Sequence, residues 1–244
     1  MNTSQTVSSN RHPFSASTLA RFVQDALRER ADPSRAPPMA AYMKTDMPFY
    51  GVPKSARLPI LKAMHKQFIP PSPDAYIDGV QALWQLRHRE EKYTAIDFAI
   101  RHSKYITPAA MPMYEQLIRE GAWWDLVDAV ATLLVGRVLL NHRTETATTM
   151  EKWIDDKDMW IRRAALLAHL KHKTSTDQAQ LFAHCLRLAG EKEFFIRKAL
   201  GWVLREYAKT SPDAVNAFLR AHQALLSPLS MREASKHLVR ASCR

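Results

Sequence analysis

The chain has 244 residues, 46% of them hydrophobic and 24% charged, with 35 Lys and Arg against 24 Asp and Glu for a formal charge of +11. This is ordinary globular composition, with enough apolar side chains for a core. The positive excess either serves solubility or favours a polyanionic partner, nucleic acid first and an acidic membrane surface second. Only six glycines occur, too few for sheets joined by tight hairpins, so the expected class is all-α.

In chain order, MNTSQTVSSNRH has no apolar signal core and no helical period, so residues 1–14 are expected to be a disordered tail. No run of about 18 apolar residues follows, which argues against membrane spanning and for a cytoplasmic protein. Helical patterns are expected near 16–31, 36–46, 54–68, 73–87, 89–103, 108–119, 122–140, 144–155, 158–172, 176–189, 192–208, 212–224 and 230–242. DPSRAPP (32–38) and IPPSP (69–73) are short turns, because the period resumes at once after each, and no linker divides 15–244 into separate domains. Thr107-Pro108, Ser175 or Thr176, and Ser211-Pro212-Asp213 are expected helix starts. Cys185 and Cys243 belong to no CxxC pattern, so neither a disulfide framework nor a zinc site is indicated and the compartment is expected to be reducing.

MWIRRAALLAHLKHK (159–173) and FFIRKALGWVLREYAK (194–209) share an aromatic, then Ile-Arg-basic-Ala, then a leucine-bearing continuation. Arg163 and Lys198 correspond, 35 residues apart, and the same step backwards lands on Asp128 and then Tyr93. A period of roughly 35–45 residues with two helices per unit is the pattern of stacked HEAT-type repeats, which predicts a curved solenoid of antiparallel helix pairs with a basic concave surface.

Three places along this pattern invite chemistry. In EGAWWDLVDAV (120–130), Trp123 is expected on the buried stripe with Leu126, Val127, Val130 and Leu134. Trp124 and Asp128 share the flank, either as a functional edge or as extra core beside a solvated carboxylate. Arg163 falls among Trp160, Leu166, Leu167 and Leu170 and needs a partner, which is either an internal carboxylate or a phosphate in a groove. Arg162 points with His169 and is read as a solvated residue. Trp202 lies between Lys198 and Arg205, as a surface cation–π contact or as the edge of a positive strip; mid-helix Gly201 costs about 1 kcal/mol relative to Ala. That cost is explained if another backbone or a ligand approaches there. GxxxxGK[ST], GxGxxG and HExxH are missing, and the ten histidines show no metal-ligand spacing.

AAYMKTDMPFYGV (40–52), EGAWWDLVDAV, WIDDKDMWIRRAAL (153–166), EFFIRKALGWVLREYAKTSPDAV (193–215) and SPLSMREASKHL (227–238) together resemble the AlkD-like family of DNA alkylation-repair glycosylases, built from HEAT-like repeats. The resemblance runs in order over roughly 36–240 and implies one glycosylase domain over 15–244. It implies Asp128 as catalytic carboxylate, Trp124 and Trp202 as indoles facing the nucleic acid, and Arg163 and Arg205 as groove arginines, with Lys198 beside them. Tyr42 matches a tyrosine near the same cleft. The implied activity is excision of positively charged alkylated purines, 3-methyladenine and 7-methylguanine, from duplex DNA by a monomer without metal or organic cofactor, leaving an abasic site. The competing expectation is a noncatalytic helical-repeat module that binds nucleic acid or protein; a peripheral membrane protein is supported by charge alone.

Overall fold

The computed structural model describes residues 14–238, and these form helices and turns with no strand among them. The expected tail over 1–14, apart from its last residue, lies outside the described residues, as do the end of the helix expected to reach 242 and Cys243. The described residues gather into two compact units that divide between Phe98 and Ala99, where the sequence alone reads 15–244 as one domain.

The first unit contains α1 (Ala16–Arg28), α2 (Ala36–Met43), α3 (Lys54–Gln67), α4 (Pro73–Trp84) and most of α5 (Arg89–Arg101). Ser15 caps α1 by accepting from the Thr18 N–H, and Ser72 caps α4 with Pro73 behind it. Leu19, Val23 and Leu27, spaced four apart, are fully buried, and α1 packs against α3 and α4. Each such side chain contributes about 1.5–3 kcal/mol of gross burial. The segment after α2 is fixed by Glu90, a fully buried carboxylate that accepts the backbone N–H groups of Tyr50, Gly51 and Val52 at 2.9–3.0 Å. Gly51 is required there: its φ is +83°, and a Cβ at this position would lie 2.1 Å from the Asp32 carbonyl oxygen.

The second unit continues through α6 (Met111–Gly121), α7 (Trp124–Val130), a π-helical turn (Ala131–Val135) and α8 (Gly136–Asn141). It proceeds through α9 (Arg143–Ile154), α10 (Met159–Leu167), α11 (Gln178–Arg187), α12 (Phe194–Tyr207), α13 (Pro212–Ala221) and α14 (Pro228–Ala234). α10 packs on α6, α7, α9 and α12, and α12 packs on α14. The helix expected over 122–140 starts later and is not uniform. Ala122 ends α6 in the left-handed region (φ 35°) and Trp123 is extended, so Trp123 precedes the helix as its N-cap and is half-buried. Alanine rarely adopts that conformation, so the pattern read from the chain placed the break before Ala122 rather than after it. The π turn follows directly on the Asp128-bearing segment, where the Thr132 hydroxyl donates to the Asp128 carbonyl at 2.6 Å. Thr107 stands where expected, at the start of a short 3-10 turn but without a side-chain cap bond, whereas α11 is capped by Asp177 rather than by Ser175 or Thr176.

Candidate functional site

Asp128 sits one helical turn after Trp124 on α7, and both are half-buried. The Asp128 side chain is 15% exposed and so sits in a largely enclosed seat. Arg163, on α10, donates to it through two parallel hydrogen bonds, Nε to Oδ1 and Nη2 to Oδ2, each 2.8 Å. The remaining arm of the guanidinium donates to the Phe195 carbonyl at the start of α12, and the group lies 5.8 Å from the centre of the Phe195 ring. Trp123, Trp160 and Phe195 stand against one another with ring centres 4.9–5.9 Å apart, forming an aromatic wall beside the arginine.

This arrangement fixes the carboxylate strongly. A fork-on-fork pair defines the plane and distance of both oxygens, and the anchored third arm prevents the guanidinium from turning. Burial pushes the Asp128 carboxyl above its usual range, the hydrogen bonds and charge of Arg163 pull it back, and nearby Asp125 adds a smaller upward push; the net direction is up. Of the two partners open to Arg163 in the sequence, the structure supplies the internal carboxylate: its side chain is 4% exposed and its guanidinium is committed to protein oxygens. Arg162 is also placed differently from its expected solvated role. It donates to the carbonyls of Asp156 and Lys157 and pairs with Glu191 at 2.7 Å, while His169 is buried.

On α12, Lys198 and Arg205 flank Trp202 and both turn onto one carboxylate, Glu233 of α14, at 2.7 and 2.9 Å. Lys236 donates to the same group at 2.7 Å. Glu233 is 5% exposed, whereas Lys198, Arg205 and Lys236 are 40%, 24% and 48% exposed. The hydrogen bonds of Lys198 and Lys236 pull the Glu233 carboxyl down to about 2. The close approach anticipated at Gly201 is a backbone: a Cβ there would lie 2.8 Å from the Ser230 carbonyl oxygen and 2.5 Å from the Glu233 Cβ. Half-buried Trp202 lines a cavity of about 500 Å³ with Arg205, Glu206, Lys209, Lys236 and His237.

The structure therefore joins Asp128 to Arg163 and Lys198 to Arg205. It links the two groups through α12, whose first turn accepts from Arg163. Tyr42 lies in the first unit, 73% exposed on α2. Sequence reasoning missed Glu233, although it stands 35 residues after Lys198, the step that also separates Asp128 from Arg163. It also missed the meeting of His169, His172 and His184, all buried, with His169 Nε2 and His184 Nδ1 3.3 Å apart. No group of three or more His, Cys, Asp or Glu among the described residues is placed to hold a metal ion.

Successive helix pairs that repeat at a fixed step, and that carry ionic pairs at equivalent positions, define a helical-repeat protein. The chain belongs to the DNA alkylation repair enzyme family, whose profile of that description matches residues 23–238. Among solved structures it is similar to one titled "Predicted DNA alkylation repair enzyme from Enterococcus faecalis", at 32% identity and a TM-score of 0.74, over 85% of this chain and 96% of that one. Curated proteins include no match. The family implies a role in DNA repair with DNA as substrate, and no described helix is long and apolar enough to cross a membrane.

Proposed function

We propose that this protein is a monofunctional DNA glycosylase that hydrolyses the N-glycosidic bond of positively charged alkylated purines, 3-methyladenine and 7-methylguanine, in duplex DNA, and leaves an abasic site. The observation that carries the reading is the carboxylate of Asp128, held by Arg163 in a fixed plane on a side chain that stays 15% exposed, one turn from Trp124. A protein that only gripped phosphates would gain nothing from presenting a carboxylate, since like charges repel.

The chemistry needs little more. An N-alkylated purine already carries a positive charge and departs as a neutral base, so no acid is required to protonate the leaving group. As the C1′–N bond breaks, the deoxyribose acquires oxocarbenium character. A preorganised carboxylate stabilises that charge and orients the attacking water, whose proton passes to the carboxylate as the C1′–O bond forms. Sugars without an activated leaving group generally need a second carboxyl group as acid. The faces of Trp124 and Trp202 favour cationic groups, and the half-buried cations of α12 suit the flanking phosphates. Arg163 acts through Asp128 as its positioning residue, in place of the groove arginine that the resemblance implies.

The direct test is incubation with methylated duplex DNA and mass analysis of the freed bases. Wild-type protein is expected to release 7-methylguanine and 3-methyladenine; Asp128→Asn is expected to bind the duplex and release almost none. Equal release by the two proteins would remove Asp128 from the mechanism. Duplex binding without release by either would favour the noncatalytic module.

A further inference from the structure

We propose that Glu233, which need not touch DNA, is the positioning residue that assembles Lys198, Arg205 and Lys236 into a single phosphate-binding unit beside Trp202. The proposal deepens the reading of this chain as a duplex-DNA enzyme and rests on it for the identity of the ligand, a phosphate of the DNA backbone.

Glu233 is enclosed while the cations bonded to it are not, so the carboxylate is concealed and the charges it collects are displayed. Three cations on one anion leave an excess of positive charge at one spot, and left alone they would repel one another and spread. Long lysine and arginine side chains lose much rotamer freedom when fixed by a ligand; cations already held by Glu233 have lost that freedom before the DNA arrives. Its position follows from the packing. Lys198 and Arg205 are seven residues apart, two turns along one face of α12, with Gly201 between them. The missing side chain at Gly201 lets α14 approach until Glu233 stands over the gap and reaches both. The Ser230 hydroxyl, donating to the Arg197 carbonyl at 2.9 Å, keys the same contact. On the open side lies the cavity that Trp202 lines with Arg205, Lys209, Lys236 and His237, a recess with an aromatic edge and a cationic rim. Lys209 is paired with Glu206 and so adds little to the excess.

Charge alone and positioning make opposite predictions. Glu233→Gln adds one unit of positive charge, so if the carboxylate merely offsets its neighbours the variant binds duplex more tightly. If it positions them, binding weakens in spite of the added charge. The experiment measures affinity for undamaged duplex DNA over a salt series. Glu233→Gln is expected to bind roughly tenfold more weakly, with the slope of log K against log salt reduced by about 1. Glu233→Asp, which keeps the charge on a shorter arm, is expected to fall between the two. Arg205→Ala should cost less in the Glu233→Gln background than in wild type, because the two act through one unit. Equal or tighter binding by Glu233→Gln, whatever its slope, overturns the proposal. If that variant fails a thermal-melting check, wild-type affinity in Glu233→Asp overturns it instead.

Base release is followed in parallel on methylated duplex. Wild type that frees base while Glu233→Gln binds more tightly defeats only this proposal. Wild type that binds but frees nothing, with weakened Glu233→Gln, defeats only the glycosylase reading. Wild type that does not bind duplex at all defeats both.

Discussion

Two ionic clusters in the second unit use the same 35-residue step with opposite polarity. At Asp128–Arg163 the carboxylate is the more exposed partner and the guanidinium is sealed in; at Lys198–Glu233 the carboxylate is sealed and the ammonium is displayed. One repeat geometry thus presents a negative charge at one level of the stack and positive charges at another. A DNA strand bearing a cationic lesion needs both, since its phosphates must be attracted and the charge forming on its sugar must be stabilised. Which sign faces outward is decided by the neighbours. An aromatic wall and the Phe195 carbonyl enclose Arg163, and the tight seat of α14 on Gly201 encloses Glu233.

The comparison breaks most severely if the displayed carboxylate is removed. Asp128→Asn is expected to lower the rate of 7-methylguanine release by at least about 100-fold, measured in single turnover, while duplex affinity is kept. Next in size is Arg163→Met, which leaves the carboxylate in place without its fork. Burial then acts unopposed, so the acidic limb of the release profile should move upward by about one pH unit or more. A profile that falls in amplitude without moving would show Arg163 to be structural only.

The two carboxylates should also give stability of opposite pH dependence. Glu233 is depressed to about 2, so its contribution is full above the ordinary glutamate range and is lost as pH falls through about 2. Asp128 is raised, so its contribution is greatest below the ordinary aspartate range and is lost as pH rises through its folded value. Thermal melts of wild type against Glu233→Gln and Asp128→Asn, taken between about pH 2 and pH 7, should show differences that slope in opposite directions. A smaller effect is expected from Gly201→Ala. The added methyl group gains helix propensity but meets Ser230 and Glu233, for a net loss of about 1–3 kcal/mol read by denaturant unfolding. Unchanged stability would mean that α14 has room to retreat. Smallest is Lys236→Ala, whose partner keeps two other cations; it should cost under about 1 kcal/mol in stability and lower the salt slope by less than Glu233→Gln does.

Much of this was legible in the chain itself. Scarce glycine and continuous 3.6-residue periodicity require helices, and the recurrence of aromatic-Ile-Arg-basic-Ala set the repeat step. Trp124 and Asp128 on one flank, Arg163 among leucines, and Lys198, Trp202 and Arg205 along one strip are consequences of helical geometry and needed no coordinates. Local pattern fixes which residues share a face because a helix is a short-range object. Tertiary structure alone decided which faces meet and which charge is hidden. The pairing of Asp128 with Arg163, the gathering of cations on Glu233 and the placing of Trp123 ahead of its helix all involve groups brought together by packing. The energy of an ion pair depends on burial, and burial belongs to the assembled fold rather than to any segment of it.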